Sequence, residues 1–148
     1  MSNEIQAVLF DMDDTLLDWS GVTASLSQLY QPHVEELYAY LAEAGYAVPV
    51  LDRFTAVYRQ IIKDYWAEAK QAFTGVNFAR ALRRLFAELA LDVPETAMPA
   101  VLRAYNWQPF PGVVPFADCH DVLDNLQRQG YRLGLVTNSM LPMWMRDI

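Results

Sequence analysis

Two short apolar runs, and the distance between them, constrain this chain more than any other feature. "QAVLF" at residues 6–10 is an unbroken apolar run ahead of a group of acids, without the polar alternation of a half-exposed strand, so it reads as a buried strand of a parallel sheet. The next strand comes only at residues 131–136, "YRLGLV", directly after "FADCHDVLDNLQRQG". In that segment Phe116, Val122, Leu123 and Leu126 fall roughly on one helical face, and Gly130 stands where a helix C-cap belongs. A helix, a glycine and an apolar strand make the second half of a βαβ unit, which predicts an α/β fold.

The long stretch between the two runs carries helical spacing. Val34, Leu37, Tyr38 and Leu41 keep it, with Pro32 expected in the first turn of their helix. Asp52 is expected to cap a second helix, in which Phe54, Val57, Tyr58, Ile61, Ile62, Tyr65 and Ala69 form an apolar stripe. Phe78, Leu82, Leu85, Phe86 and Leu89 repeat the pattern, and a weaker helix follows from about Glu95 to Tyr105. Four helices far exceed a simple strand-to-strand crossover, whose minimum is about a dozen residues, so they predict an inserted helical domain. "NWQPFPGVVP", with three prolines and a glycine, is the expected hinge back to the sheet. The sheet-bearing core is thus assigned to residues 1–18 and 106–148, and the helical insertion to 19–105.

Charge and composition exclude several function classes. A formal charge of −7 gives a bulk field that repels nucleic acid and anionic membranes, so neither is an expected partner. An anionic substrate would need a local positive device such as a cation. The single Cys119 has no partner for an intramolecular disulfide, "MSNEIQ" has neither the basic nor the apolar region of a signal peptide, and no apolar run approaches the roughly 18 residues that span a bilayer. A cytoplasmic location is expected.

Chemistry concentrates where the first strand ends. Asp11, Asp13, Asp14 and Asp18 follow "AVLF" within eight residues. Asp11 and Asp13 are two apart, so an extended chain would point both side chains to one side. Like charges placed so close oppose each other's ionisation, and nothing is gained unless a cation or a reaction uses them. The carboxyl end of a strand is also where ligands bind in open α/β sheets. Capping and turn-forming aspartates are the ordinary alternative. The second strand ends "LVTNS", placing Thr137 and Asn138 in the equivalent position, where a hydroxyl, an amide and backbone N–H groups can hold a phosphate.

"DMDDT" and "TNS", separated by a helical insert and joined by "PFPGV" and "GYRLGLVTNS", resemble the haloacid dehalogenase (HAD) superfamily, in the subgroup with an α-helical cap between the first motif and the next core strand. The resemblance implies a Rossmann-like core with an inserted helical cap, and phosphoryl transfer to a small-molecule phosphate ester. Under it Asp11 is the nucleophile that forms an aspartyl phosphate. Asp13 is the general acid toward the leaving oxygen, and then the general base on water. Thr137 holds a phosphate oxygen and Asn138 shapes its loop. Mg²⁺ is the implied cofactor, with a side-chain ligand from Asp11 and the backbone carbonyl of Asp13. Family members that act as 2-haloacid dehalogenases or phosphonatases lack the second aspartate, which this sequence has. Asp14 stands where many relatives have glycine, and is expected in a turn; Asp18 is expected to be a solvated loop acid.

The pattern also calls for a lysine and a second acidic pair after the threonine motif. Only "MLPMWMRDI" follows "TNS", and the two lysines, Lys63 and Lys70, lie in the predicted insertion. The expectation is an N-terminal fragment of a longer phosphatase; the alternatives are a half complemented by another chain or by self-association, and a scaffold kept as a binding module. Mutase or dehalogenase chemistry on the same fold is a further alternative. His33 and His120 lack ligand partners at metal spacing and are expected on helix surfaces. Trp19 is expected to be a packing aromatic, and Arg80, Arg83 and Arg84 a solvated helix face.

Overall fold

The computed structural model describes residues 5–106, 108 and 110–137. These residues fall into two units, one taking in the chain up to Thr23 together with the segment from Phe110 on, the other beginning at Ala24. The architecture is mixed α/β, with a small parallel sheet and a helical insertion, as the two apolar runs imply.

In the first unit, β1 (Ala7–Phe10) pairs in parallel with the strand Arg132–Leu135, in the register Ala7 to Arg132 through Phe10 to Leu135. Both strands are shorter than the apolar runs that announce them. Contrary to the expectation of a buried strand, Val8 and Phe10 are half-buried while Leu9 is 68% exposed. This sheet has two strands among the described residues, so β1 has one neighbouring strand there and not the two of a central strand in a larger sheet. A second pair, β2 (Leu17–Asp18) with β3 (Val114–Pro115), is antiparallel. It has no counterpart in the sequence reading, because two-residue strands leave no periodic signal. A helix at Cys119–Arg128 precedes the Arg132–Leu135 strand, and Gly130 follows it at φ +85°.

The second unit is helical: α1 (Leu26–Glu43), α2 (Leu51–Ala72), α3 (Phe78–Glu88) and α4 (Met98–Ala104), the last entered through a 3₁₀ turn at Glu95–Ala97. With these, the helix at Cys119–Arg128 becomes α5 and the strand after it β4. Helix α1 starts earlier than its apolar stripe suggests, because Ser25 and Gln28 form a reciprocal capping box. Pro32 therefore lies inside α1 and not in its first turn. Asp52 is likewise not the cap of α2; Val50 holds that position without a side-chain bond, and Asp52 sits in the first turn, where the helix dipole favours an anion.

Core residues match the stripes closely. Leu37, Leu41, Phe54, Leu82, Leu85, Val101 and Tyr105 are fully buried in one cluster spanning all four helices. Phe54 meets Tyr38 edge to face at 5.4 Å, and the Tyr58 and Tyr105 hydroxyls hydrogen-bond at 2.5 Å. Burial pushes both phenols up from the ordinary tyrosine range, so the pair is neutral. His33 corrects its sequence reading: it is buried, stacks on Tyr105 at 5.3 Å, and its Nδ1–H donates to the Asn106 carbonyl at 3.0 Å. His120 is exposed on α5.

In the first unit two backbone segments nearly touch. Gly112 has φ +89°, and a Cβ built there would lie 2.7 Å from the Gly21 carbonyl oxygen. Gly45 has a similar φ of +85° with nothing within 4 Å. Gly112→Ala is therefore expected to cost more than Gly45→Ala, about 2–3 kcal/mol against about 1 kcal/mol, because it adds a backbone clash to the shared left-handed strain. Urea unfolding of the two variants checks this; equal costs would mean that the contact with Gly21 relaxes freely.

Candidate active site

Strand β1 stops at Phe10, and Asp11 is the first residue beyond it. On the neighbouring strand, Val136 donates its N–H to the Phe10 carbonyl at 2.8 Å, extending the ladder one step past Leu135. Thr137 follows immediately. Continued past β1, the register sets Asp11 opposite Val136, with Thr137 the next residue along the neighbouring strand, at the carboxyl end of the sheet, where ligands bind in open α/β folds. Asn138 lies outside the described residues.

The Asp11 carboxylate is exposed, and its Oδ1 accepts the N–H of Met12 at 2.8 Å. That local bond fixes the side chain and leaves Oδ2 without a hydrogen-bond donor among the described residues. Asp13 is not reached by an extended chain, as two-residue spacing alone suggests. After Phe10 the backbone curls: Leu16 and Leu17 both donate to the Met12 carbonyl, at 2.9 and 3.0 Å, and Asp14 donates to Leu17 at 2.9 Å. Asp14 sits in this curl at φ 56°, the left-handed region that Asp tolerates better than most residues and that glycine adopts without strain. Its place in a turn agrees with the sequence reading.

The curl also brings Trp19 back to Asp13. Its indole Nε1–H donates to Asp13 Oδ1 at 3.0 Å, and its ring meets Phe110 edge to face at 5.7 Å. Trp19 is thus a packing aromatic, as expected, but also a polar partner of a candidate catalytic carboxylate. The sequence carried one signal for this, an N–H-bearing aromatic shortly after the motif. Asp18 corrects the expectation of a solvated loop acid: it lies on β2 and is half-buried, and Ser20, through its hydroxyl and then its backbone N–H at 2.7 Å, holds that carboxyl below the usual range.

The donor set suits a hard cation, since Asp11 and Asp13 present only oxygen. Among the described residues no group of three or more His, Cys, Asp or Glu side chains is placed to hold a metal. In the helical unit, Arg83 pairs with Glu95, and Arg84 with Glu68 through two bonds of 2.7 and 2.9 Å. These hydrogen bonds hold both glutamates below the usual carboxylate range. Arg80 and Arg84 lie over the Tyr65 ring, at 5.9 and 5.8 Å. The cationic face is therefore substantially spent on the unit's own acids and aromatics. Among the described residues no helix is long and apolar enough to cross a membrane.

No curated protein matches. A crystal structure of a dehalogenase aligns with 94% of this chain and 54% of its own, at 16% identity and a TM-score of 0.38, so the chain spans about half the length of that structure. The family model for haloacid dehalogenase-like hydrolases matches residues 5–148, from β1 through the insertion to the threonine motif and beyond. An aspartate motif ending one parallel strand, a helical insertion and a threonine ending the next are what that match spans, and the chain belongs to the haloacid dehalogenase-like hydrolases.

Proposed function

We propose that this hydrolase cleaves small phosphate monoesters through an aspartyl phosphate on Asp11. The observation that supports the reading most is the parallel pairing that brings a carboxylate and a hydroxyl to the same end of the sheet, Asp11 opposite Val136 and Thr137 one residue beyond. Asp11 attacks phosphorus through Oδ2, the oxygen left open when Met12 takes Oδ1. Thr137 holds a non-bridging oxygen of the same phosphoryl group, with Asn138 shaping the loop around it. Asp13 gives its proton to the departing ester oxygen and later takes one from the water that releases phosphate, restoring both carboxyl groups. The Asp11 carboxylate and the Asp13 backbone carbonyl would hold Mg²⁺, which supplies charge neutralisation between an anionic nucleophile and an anionic substrate. The presence of Asp13 favours ester hydrolysis over carbon–halogen cleavage, because a departing halide needs no proton whereas an alkoxide does.

Phosphate release from a panel of phosphomonoesters, with Mg²⁺ and with EDTA, tests the reading alongside halide release from 2-haloacids. Mg²⁺-dependent phosphate release without halide release is expected. Halide release with no phosphate release would replace it with dehalogenase chemistry.

A further inference from the structure

The contact between Trp19 and Asp13 has the form of a device for aiming an acid. Asp13 Oδ1 accepts the Trp19 indole N–H at 3.0 Å in a part-buried setting, and among the described residues no donor reaches Oδ2. Trp19 cannot swing freely. Its ring is held edge to face on Phe110, its carbonyl accepts the Val22 N–H at 2.9 Å, and the residue before it, Asp18, is paired with Val114 across β2 and β3. The donor is thus fixed by two segments distant in sequence, and the carboxyl group it holds is fixed in turn.

We propose that Trp19 is a positioning residue that presents Asp13 to the leaving group; this rests on the phosphatase reading above. When Asp13 is protonated, an N–H aimed at Oδ1 makes that oxygen the carbonyl, because an O–H there would face another donor. The proton is therefore carried on Oδ2, the oxygen that no donor among the described residues reaches. In the first step the Asp11 oxygen forms a bond to phosphorus, the phosphorus–ester oxygen bond breaks with its electron pair going to oxygen, and the Oδ2 proton moves to that oxygen to give the alcohol. In the second step Asp13 Oδ2 takes a proton from water, the new hydroxyl bonds to phosphorus, and the Asp11–phosphorus bond breaks to release phosphate. Indole holds the same carboxyl oxygen in both steps.

The test compares two leaving groups in the full chain with Mg²⁺ present. Glycerol phosphate must expel an alkoxide and depends on a well-placed acid, whereas p-nitrophenyl phosphate expels a stable phenolate and depends on it little. Trp19→Phe keeps an aromatic ring against Phe110 and removes only the N–H. The expected result is a fall of about tenfold in kcat/KM for glycerol phosphate and less than about twofold for p-nitrophenyl phosphate, the size expected for losing one charge-assisted hydrogen bond to a catalytic carboxyl. Equal losses on both esters would overturn the proposal, because general damage to the fold does not distinguish leaving groups. Wild-type protein that turns over neither ester would instead remove the phosphatase reading, and the proposal with it. A second measurement needs no turnover: the ¹H–¹⁵N resonance of the Trp19 indole is expected to move and to exchange faster with solvent in Asp13→Ala, while that of Trp66, on α2, stays in place. An unmoved Trp19 resonance would overturn the hydrogen bond on which the proposal stands.

Discussion

Asp11→Asn is expected to lower phosphate release by about a thousandfold or more, because an amide oxygen does not form the acyl phosphate. The fold should survive the change. Asp11 is exposed, and the side-chain hydrogen bond it makes among the described residues, from the Met12 N–H to Oδ1, can be accepted equally well by the amide oxygen of asparagine. A variant that keeps its circular dichroism and urea midpoint while losing turnover would separate nucleophile from scaffold. Retention of more than about a tenth of the wild-type rate would mean that another group attacks phosphorus, since the loss expected for a true nucleophile is far larger.

The second large effect concerns stability. Phe54→Ala should cost about 3–5 kcal/mol, the range for deleting a fully buried aromatic and leaving a cavity. Phe54 is completely buried on α2, within the cluster that joins the four helices, and its ring meets Tyr38 of α1 edge to face. The carboxylate pairs on the surface of the same unit contribute little by comparison, because exposed ion pairs are screened and hold mobile side chains. Urea unfolding followed by helical circular dichroism checks the prediction. A cost below about 1 kcal/mol would show that the helices repack around the gap, contrary to the close packing described for buried cores.

The helical insertion was readable from sequence because burial there follows helical periodicity. Leu37, Leu41, Phe54, Leu82 and Leu85 were placed on apolar stripes, and all are fully buried. His33 was not readable in the same way, since its partner is a backbone carbonyl at Asn106 and no local pattern encodes a bond across that separation. The candidate site divides along similar lines. The strand-end positions of Asp11 and Thr137 follow from two apolar runs, but the register that sets Asp11 opposite Val136, one residue short of Thr137, is a property of pairing, which periodicity does not specify. Asp13 shows the limit most clearly. Extended geometry puts it on the same side as Asp11, yet the chain curls after Phe10 through bonds to the Met12 carbonyl, and that curl delivers Trp19 to its carboxylate. Asp14, at φ 56°, shows the same limit, since a left-handed position leaves no periodic signal and aspartate tolerates it better than most residues.

The most direct measurement is to quench the protein in acid during turnover of a phosphomonoester with Mg²⁺, digest it and find by mass spectrometry which residue carries a phosphoryl group. Modification of the peptide containing Asp11, at Asp11 itself and absent from Asp11→Asn, is the expected result. Turnover with no phosphorylated aspartate, or with the phosphoryl group on another residue, would contradict a nucleophile at the end of β1.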